Sequence, residues 1–140
     1  MTDSRDDDLY QAGMKARRAV LGNAHVDRAQ ANTKPYTQAF QDFITRFAWG
    51  SIWTRPGFDH RTRRILVIGT MMALGRWEEF RMHVRAALVE GGFTLADIEE
   101  ICLQQAVYCG VPISNTAFHH LETVLAELKE RGVSVQDGTR

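Results

Sequence analysis

The chain has little of several things. Only two cysteines occur in 140 residues, Cys102 and Cys109. Seven positions is two helical turns, so they share a helix face at a spacing too long for a disulfide. Both are expected to be reduced thiols in a reducing compartment. Prolines number three, Pro35, Pro56 and Pro112, each read as a boundary between helices. Lys plus Arg and Asp plus Glu are 17 each. This balance lacks the positive surplus that nucleic-acid or anionic membrane partners demand. The longest apolar-or-small run, Ile65 to Gly75, falls short of the roughly 18 residues that suggest a membrane span. The acidic, polar N-terminus does not resemble a secretory signal, so a soluble, cytoplasmic protein is expected. Alternating Val, Ile and Thr segments are missing, and strands are not expected. Nucleotide fingerprints, phosphate loops, GxSxG, CxxC and zinc-spaced His/Cys clusters are missing as well. No metal site and no cofactor follow from the residues.

What is there is helical periodicity. Hydrophobic residues make up 44%, enough to bury a core. The spacing predicts an all-α fold of six to seven helices, in one domain over 1–132 with a polar, frayed tail over 133–140. The first helix spans Asp6 to Leu21, with Asp6, Asp7 and Asp8 in its first turn and Ser4 or Arg5 before it. A short helix follows at Val26 to Ala31. A third runs from Tyr36 to Trp49, with Phe40, Phe43, Ile44 and Phe47 expected on its buried face. Residues 49–60 read as an ordered loop holding Trp49 and Trp53. The helix to Leu74 is apolar on nearly every side and reads as central. Trp77 to Glu90 follows, with Phe80, Val84, Ala87 and Leu88 inward. Thr94, with Asp97 three residues on, starts the next helix in a capping box. Ser114 is expected to cap the last, which ends at Gly132.

Chemistry-bearing residues are scattered. Arg76, Glu79 and His83 fall on one stripe of a helix. Such a stripe can place a carboxylate against a proton-carrying imidazole with a cation for an anionic substrate. It can equally be a solvated face of ordinary ion pairs, the commoner use of such spacing. Trp53 and Arg55 suit a flat anionic molecule, or else an interface between copies. Tyr108 and Cys109 sit at a helix end before Gly110 and Pro112, where a phenol faces a pocket or is simply buried. His25 reads more readily as a helix-end cap than as a catalyst. Arg61, Arg63 and Arg64 put positive charge at a helix start, against the dipole, so something acidic should compensate, either on a partner subunit or on a ligand.

Four stretches, GMKARRAVLGNAHVDRA (13–29), ITRFAWGSIWTRPG (44–57), HVRAALVEGG (83–92) and AVYCGVPISNTAFH (106–119), resemble the 4-carboxymuconolactone decarboxylases. These belong to an alkylhydroperoxidase-D-like superfamily, and the resemblance covers about residues 9 to 128. It implies an orthogonal all-α fold and an obligate homo-oligomer, a hexamer built as a trimer of dimers. The redox branch carries C-x-x-C-x-x-x-H. With its His on His83, the two cysteines fall on Glu79 and Arg76, and the relay glutamate falls on Arg64. Peroxidase chemistry is therefore not implied. What is implied is cofactor-independent loss of CO2 from a lactone dicarboxylate, giving 3-oxoadipate enol-lactone in the β-ketoadipate pathway from protocatechuate. The resemblance makes His83, Glu79 and Tyr108 the catalytic candidates. Arg55, Arg76, Trp53, His25, Cys109 and His119 are candidates for substrate binding. A related lactone-processing enzyme and a non-catalytic oligomeric helical module are the alternatives.

Overall fold

The computed structural model describes residues 4–139, with side chains from Asp8 on. The expected cap at Ser4 and the first-turn charges of Asp6 and Asp7 lie outside the described side chains, as does Arg140 at the end of the tail. Among the described residues the fold is all-helical. It divides into two compact units, one ending at His60 and the other beginning at Arg61.

The first unit holds α1 (Ser4–Leu21), α2 (Asn23–Ala31), α3 (Gln38–Ile44) and a π-helical segment, Thr45–Ile52. Its centre is a close crossing of α1 and the π segment. A Cβ on Gly13 would overlap the Thr45 carbonyl oxygen and stand 2.9 Å from the Gly50 amide nitrogen. One on Gly50 would stand 2.6 Å from the Leu9 carbonyl oxygen. Glycine at both places lets two backbones touch. Ala16, Val20, Val26 and Trp49 are buried in this unit.

Two expectations fail here. Residues 49–52 are not loop but the end of the π segment. Phe40, Phe43 and Phe47 are not buried: they are 60%, 58% and 54% exposed. The reason is rotational. The side of this stretch that is buried carries Thr45, Trp49 and Gly50, and the phenylalanine stripe lies on the opposite side.

The second unit holds α4 (His60–Leu74) from its second residue on, α5 (Trp77–Val89), α6 (Leu95–Tyr108) and α7 (Val111–Glu130). Its core draws on all four helices, through Ile68, Met72, Phe80, Val84, Ile98, Cys102, Val124 and Leu128. α5 buries Phe80, Val84, Ala87 and Leu88 as its periodicity requires. α4 is less central than expected. Its buried stripe is Arg64, Ile68 and Met72, while Leu66 and Leu74 are exposed. Burial pushes the Cys102 thiol up to about 11.

Thr94 and Asp97 form the expected capping box. The Asp97 amide donates to Thr94 Oγ1 at 3.2 Å and the Thr94 amide donates to Asp97 Oδ2 at 2.8 Å. The polar tail does not fray over its described part. The amides of Leu95 and Ala96, orphaned by their place in the first helical turn, donate to the Gln136 and Asp137 carbonyls, each at 2.8 Å. Val133 and Val135 pack on the core beside them. Ser114 does not cap α7. That helix begins three residues earlier, after Gly110 at φ 99°, with Pro112 in its first turn. Ser114 is buried instead, and its hydroxyl donates to the Cys102 carbonyl at 2.7 Å. No helix among the described residues is long and apolar enough to cross a membrane.

Gly13→Ala should destabilise by about 3 kcal/mol, the upper end of ordinary overpacking, because the obstacle is backbone rather than a movable side chain. A urea midpoint within error of wild type would show that the crossing can open. Cys102 should resist iodoacetamide at pH 8 in the folded protein and react once denatured, read by peptide mass.

Candidate active site

α5 carries the expected stripe from water into the interior. Gly75, at φ 67°, ends α4, and Arg76 occupies the N-cap of α5. Arg76 is exposed and its Nη2 lies 2.7 Å from Glu79 Oε1. Glu79 is half-buried, and its carboxyl is held below the usual carboxylate range, first by the Arg76 hydrogen bond and next by its own backbone amide. One turn further, His83 is 8% exposed and its Nδ1 has no access to solvent. The imidazole adds to the attraction that keeps Glu79 ionised. An exposed cation, an ionised carboxylate and a buried imidazole thus follow one another along a single helix face.

The other expected residues lie elsewhere. Tyr108 ends α6 and is 76% exposed, beside the equally exposed Val107 and Val111. Cys109 is half-buried at the C-cap of α6, and His119 is exposed on α7. In the first unit, Trp53 stacks on Trp49 with centroids 4.9 Å apart, and its carbonyl lies 3.2 Å from His60 Nε2. Arg55 is exposed in the turn after the π segment, and His25 is half-buried on α2. A recess of about 290 Å³ in the second unit is lined by Arg61, Phe93, Asp97, Glu100, Ile101 and Gln105 among others, and by none of the expected site residues. Arg61 spans its rim, 2.7 Å from Asp97 and 4.5 Å above the Phe93 ring. For Arg61 the acidic partner is Asp97 of this same chain, not a partner subunit or a ligand. Among the described residues, no group of three or more His, Cys, Asp or Glu is placed to hold a metal ion.

Sequence reasoning did not single out His120, the other member of the adjacent histidine pair, which meets α5. His120 stacks on Trp77 (centroids 4.9 Å apart, planes 11° apart), and its Nδ1 lies 3.5 Å from Arg81 Nη1. The i,i+4 spacing of Trp77, Arg81 and Arg85 was the available signal, and Arg85 completes the seam by pairing with Glu127 on α7.

A family model described as the carboxymuconolactone decarboxylase family matches residues 38–123. The chain belongs to that family. It is 42% identical over 123 residues to a 4-carboxymuconolactone decarboxylase of Acinetobacter baylyi, covering 88% of this chain and 91% of that protein. A nitrosuccinic acid decarboxylase of Metarhizium robertsii is 36% identical over 124 residues, covering 89% and 86%. A third relative, a 4-carboxymuconolactone decarboxylase of Pseudomonas putida, is 54% identical over 41 residues, covering 29% and 85%. In this family member the Arg76–Glu79–His83 face lies wholly inside the matched segment.

Burial holds His120 below the usual imidazole range, helped by the nearby charges of Arg81 and His119. The unfolded chain then binds more protons than the folded one just below pH 6.5. Stability from this group is complete above that pH and falls as pH drops toward the folded value. His120→Gln should flatten the thermal midpoint between pH 6.5 and 5, and an unchanged slope would remove His120 from the account.

Proposed function

We propose that this protein is a carboxy-lyase that decarboxylates 4-carboxymuconolactone to 3-oxoadipate enol-lactone without a cofactor. The observation that carries this reading is 42% identity to a decarboxylase of that name across nearly the whole of both chains. The α5 face supplies the chemistry. Breaking the bond to the departing carboxylate sends its electron pair through the ring double bond to the lactone carbonyl. The substrate is its own electron sink, so the reaction asks the protein for charge placement and a proton.

Arg76 is assigned to the acetate arm, which it reaches by exchanging its Glu79 partner for a substrate carboxylate. His83, the buried imidazole one turn beyond Glu79, is assigned as the proton donor to carbon. Tyr108 is assigned to the developing oxyanion. For Trp53, Arg55, His25, Cys109 and His119 the proposal is substrate contact, and it rests on their chemistry alone. The family match runs through both compact units, which supports treating 1–132 as one functional domain.

A homohexamer is part of the proposal. Phe40, Phe43 and Phe47, with Val107, Tyr108 and Val111, are more apolar surface than a monomer usually shows water. The two free thiols, Cys102 and Cys109, fit the cytoplasm. The nitrosuccinic acid relative favours a second reading: the same proton-donating face serving another acid whose carbanion is delocalised into a neighbouring acceptor group.

Purified protein given the carboxylactone should release CO2 and enol-lactone in equal amounts, and nitrosuccinate supplied alongside decides between the readings. Absence of turnover on the carboxylactone would end the first. His83→Gln should lower kcat about 100-fold or more with the fold intact. Arg76→Ala should act mainly on KM.

A further inference from the structure

α4 and α6 are bridged at two points, each between residues 36 apart in the chain. At one end Arg61 Nη2 lies 2.7 Å from Asp97 Oδ1. At the other, Gln105 Nε2 donates to the Gly69 carbonyl at 3.2 Å. Gly69 is what admits that side chain, since a Cβ there would stand 2.9 Å from Gln105 Nε2. Arg61 and Gly69 are two turns apart, about 12 Å of helix. Between the bridges lies the recess of about 290 Å³, with Ile65, Phe93 and Ile101 as its apolar wall. At about 30 Å³ per atom it has room for about nine heavy atoms. Ile65 is 40% exposed, so the apolar wall is open to water.

The recess is short of positive charge. Arg61 is committed twice, to Asp97 and to the Phe93 ring 4.5 Å from its guanidinium carbon. Asp97 is committed as well: Oδ1 takes Arg61, and Oδ2 accepts from the Thr94 amide and hydroxyl. Glu100 is the remaining charge of the lining. It is exposed and pairs with none of the described cations. Gln104, one turn further along α6, is exposed too, and Gln105 keeps its Oε1 for another donor once Nε2 is spent on Gly69. One carboxylate and two amide oxygens thus border an apolar wall. They are matched by a group with a positive charge and three N–H donors. Glu100 repels a dicarboxylate, so the recess does not suit the lactone. The Phe93 face, where a quaternary ammonium would stack, is already taken by Arg61.

We propose that the recess between α4 and α6 is a binding site for a small primary amine in its ammonium form, carried on an apolar body. The ammonium donates to Glu100, Gln104 and Gln105, and the body lies along Ile65 and Ile101. No residue assigned to decarboxylation takes part, so this site stands or falls apart from that reading. Every residue of it lies in the second unit.

The probe is 2-phenylethylamine, which has the right size and is an ammonium at about pH 7.5. It is titrated into the full chain at constant ionic strength. The δ1-methyl NMR signals of Ile65 and Ile101 are followed, each assigned by its loss in Ile65→Val or Ile101→Val. Both signals should shift and saturate together. 2-Phenylethanol keeps the body and loses the charge, and the N-trimethyl amine keeps the charge and loses the donors. Each should bind at least about tenfold more weakly. Glu100→Gln should weaken amine binding about tenfold or more. Arg61→Gln removes a like charge from the rim and frees Asp97 Oδ1, and it should tighten amine binding about threefold or more. Both positions are exposed, and methyl spectra of the unliganded variants check that the fold is kept. Absence of saturation, equal affinity for the alcohol or the quaternary ion, unchanged affinity in Glu100→Gln, or no gain in Arg61→Gln would each overturn the proposal.

Discussion

The first unit depends on two backbones in contact. α1 meets the π segment where Gly13 faces Thr45 and where Gly50 faces Leu9, with no room for a methyl group on either glycine. Everything else there follows from that approach. Arg17 is one helical turn beyond Gly13, so the crossing that brings Gly13 to Thr45 also carries the Arg17 side chain to the Thr45 hydroxyl. A wider separation would leave that cation in water, where it would need no partner. The π turn contributes by spending an extra residue, which rotates Trp49 and Gly50 onto the buried side. The same rotation leaves the phenylalanine stripe outside.

The second unit solves a different problem. Its four helices have an ordinary apolar core, and polar seams set how they meet. α5 presents three stripes. Phe80, Val84 and Ala87 enter the core, while Trp77, Arg81 and Arg85 meet His120 and Glu127 of α7. Arg76, Glu79 and His83 form the third. Because two stripes are committed to packing, the orientation of the third is not adjustable by side-chain rotation alone. The geometry of this face is inherited from the helix and not from a loop.

Much of this was legible in the residues, and the misses share a cause. The capping box at Thr94 and Asp97 is a local pattern, and it is present as read. The inward face of α5 is a 3.6-residue pattern and is equally local. Phe40, Phe43 and Phe47 obey the same periodicity, yet they face outward, because periodicity says which residues share a face and not which face finds a partner. The tail failed for the converse reason. Its residues are polar, but its backbone carbonyls are what α6 needs, and sequence does not display main-chain demand. Arg17 was invisible because it sits beside Arg18, and the pair reads as a basic helix surface. Only the Gly13 crossing separates a buried guanidinium from a half-exposed one that pairs with Asp27.

The position of charge on α5 bears on which acids such a face can process. Decarboxylation is hindered by a cation fixed on the leaving carboxylate, since the product CO2 is neutral and the cation stabilises only the ground state. A face with one exposed guanidinium and one ionised carboxylate meets that constraint. Arg76 can hold a second carboxylate at the solvent end, while the interior end offers an imidazole and no competing cation on the stripe itself. A monocarboxylic acid would have only its reacting group to give Arg76 and would be held in the unproductive direction. On the proposed roles, the requirement for a second carboxylate is a property of the helix face, and it would persist if the lactone were exchanged for another electron sink.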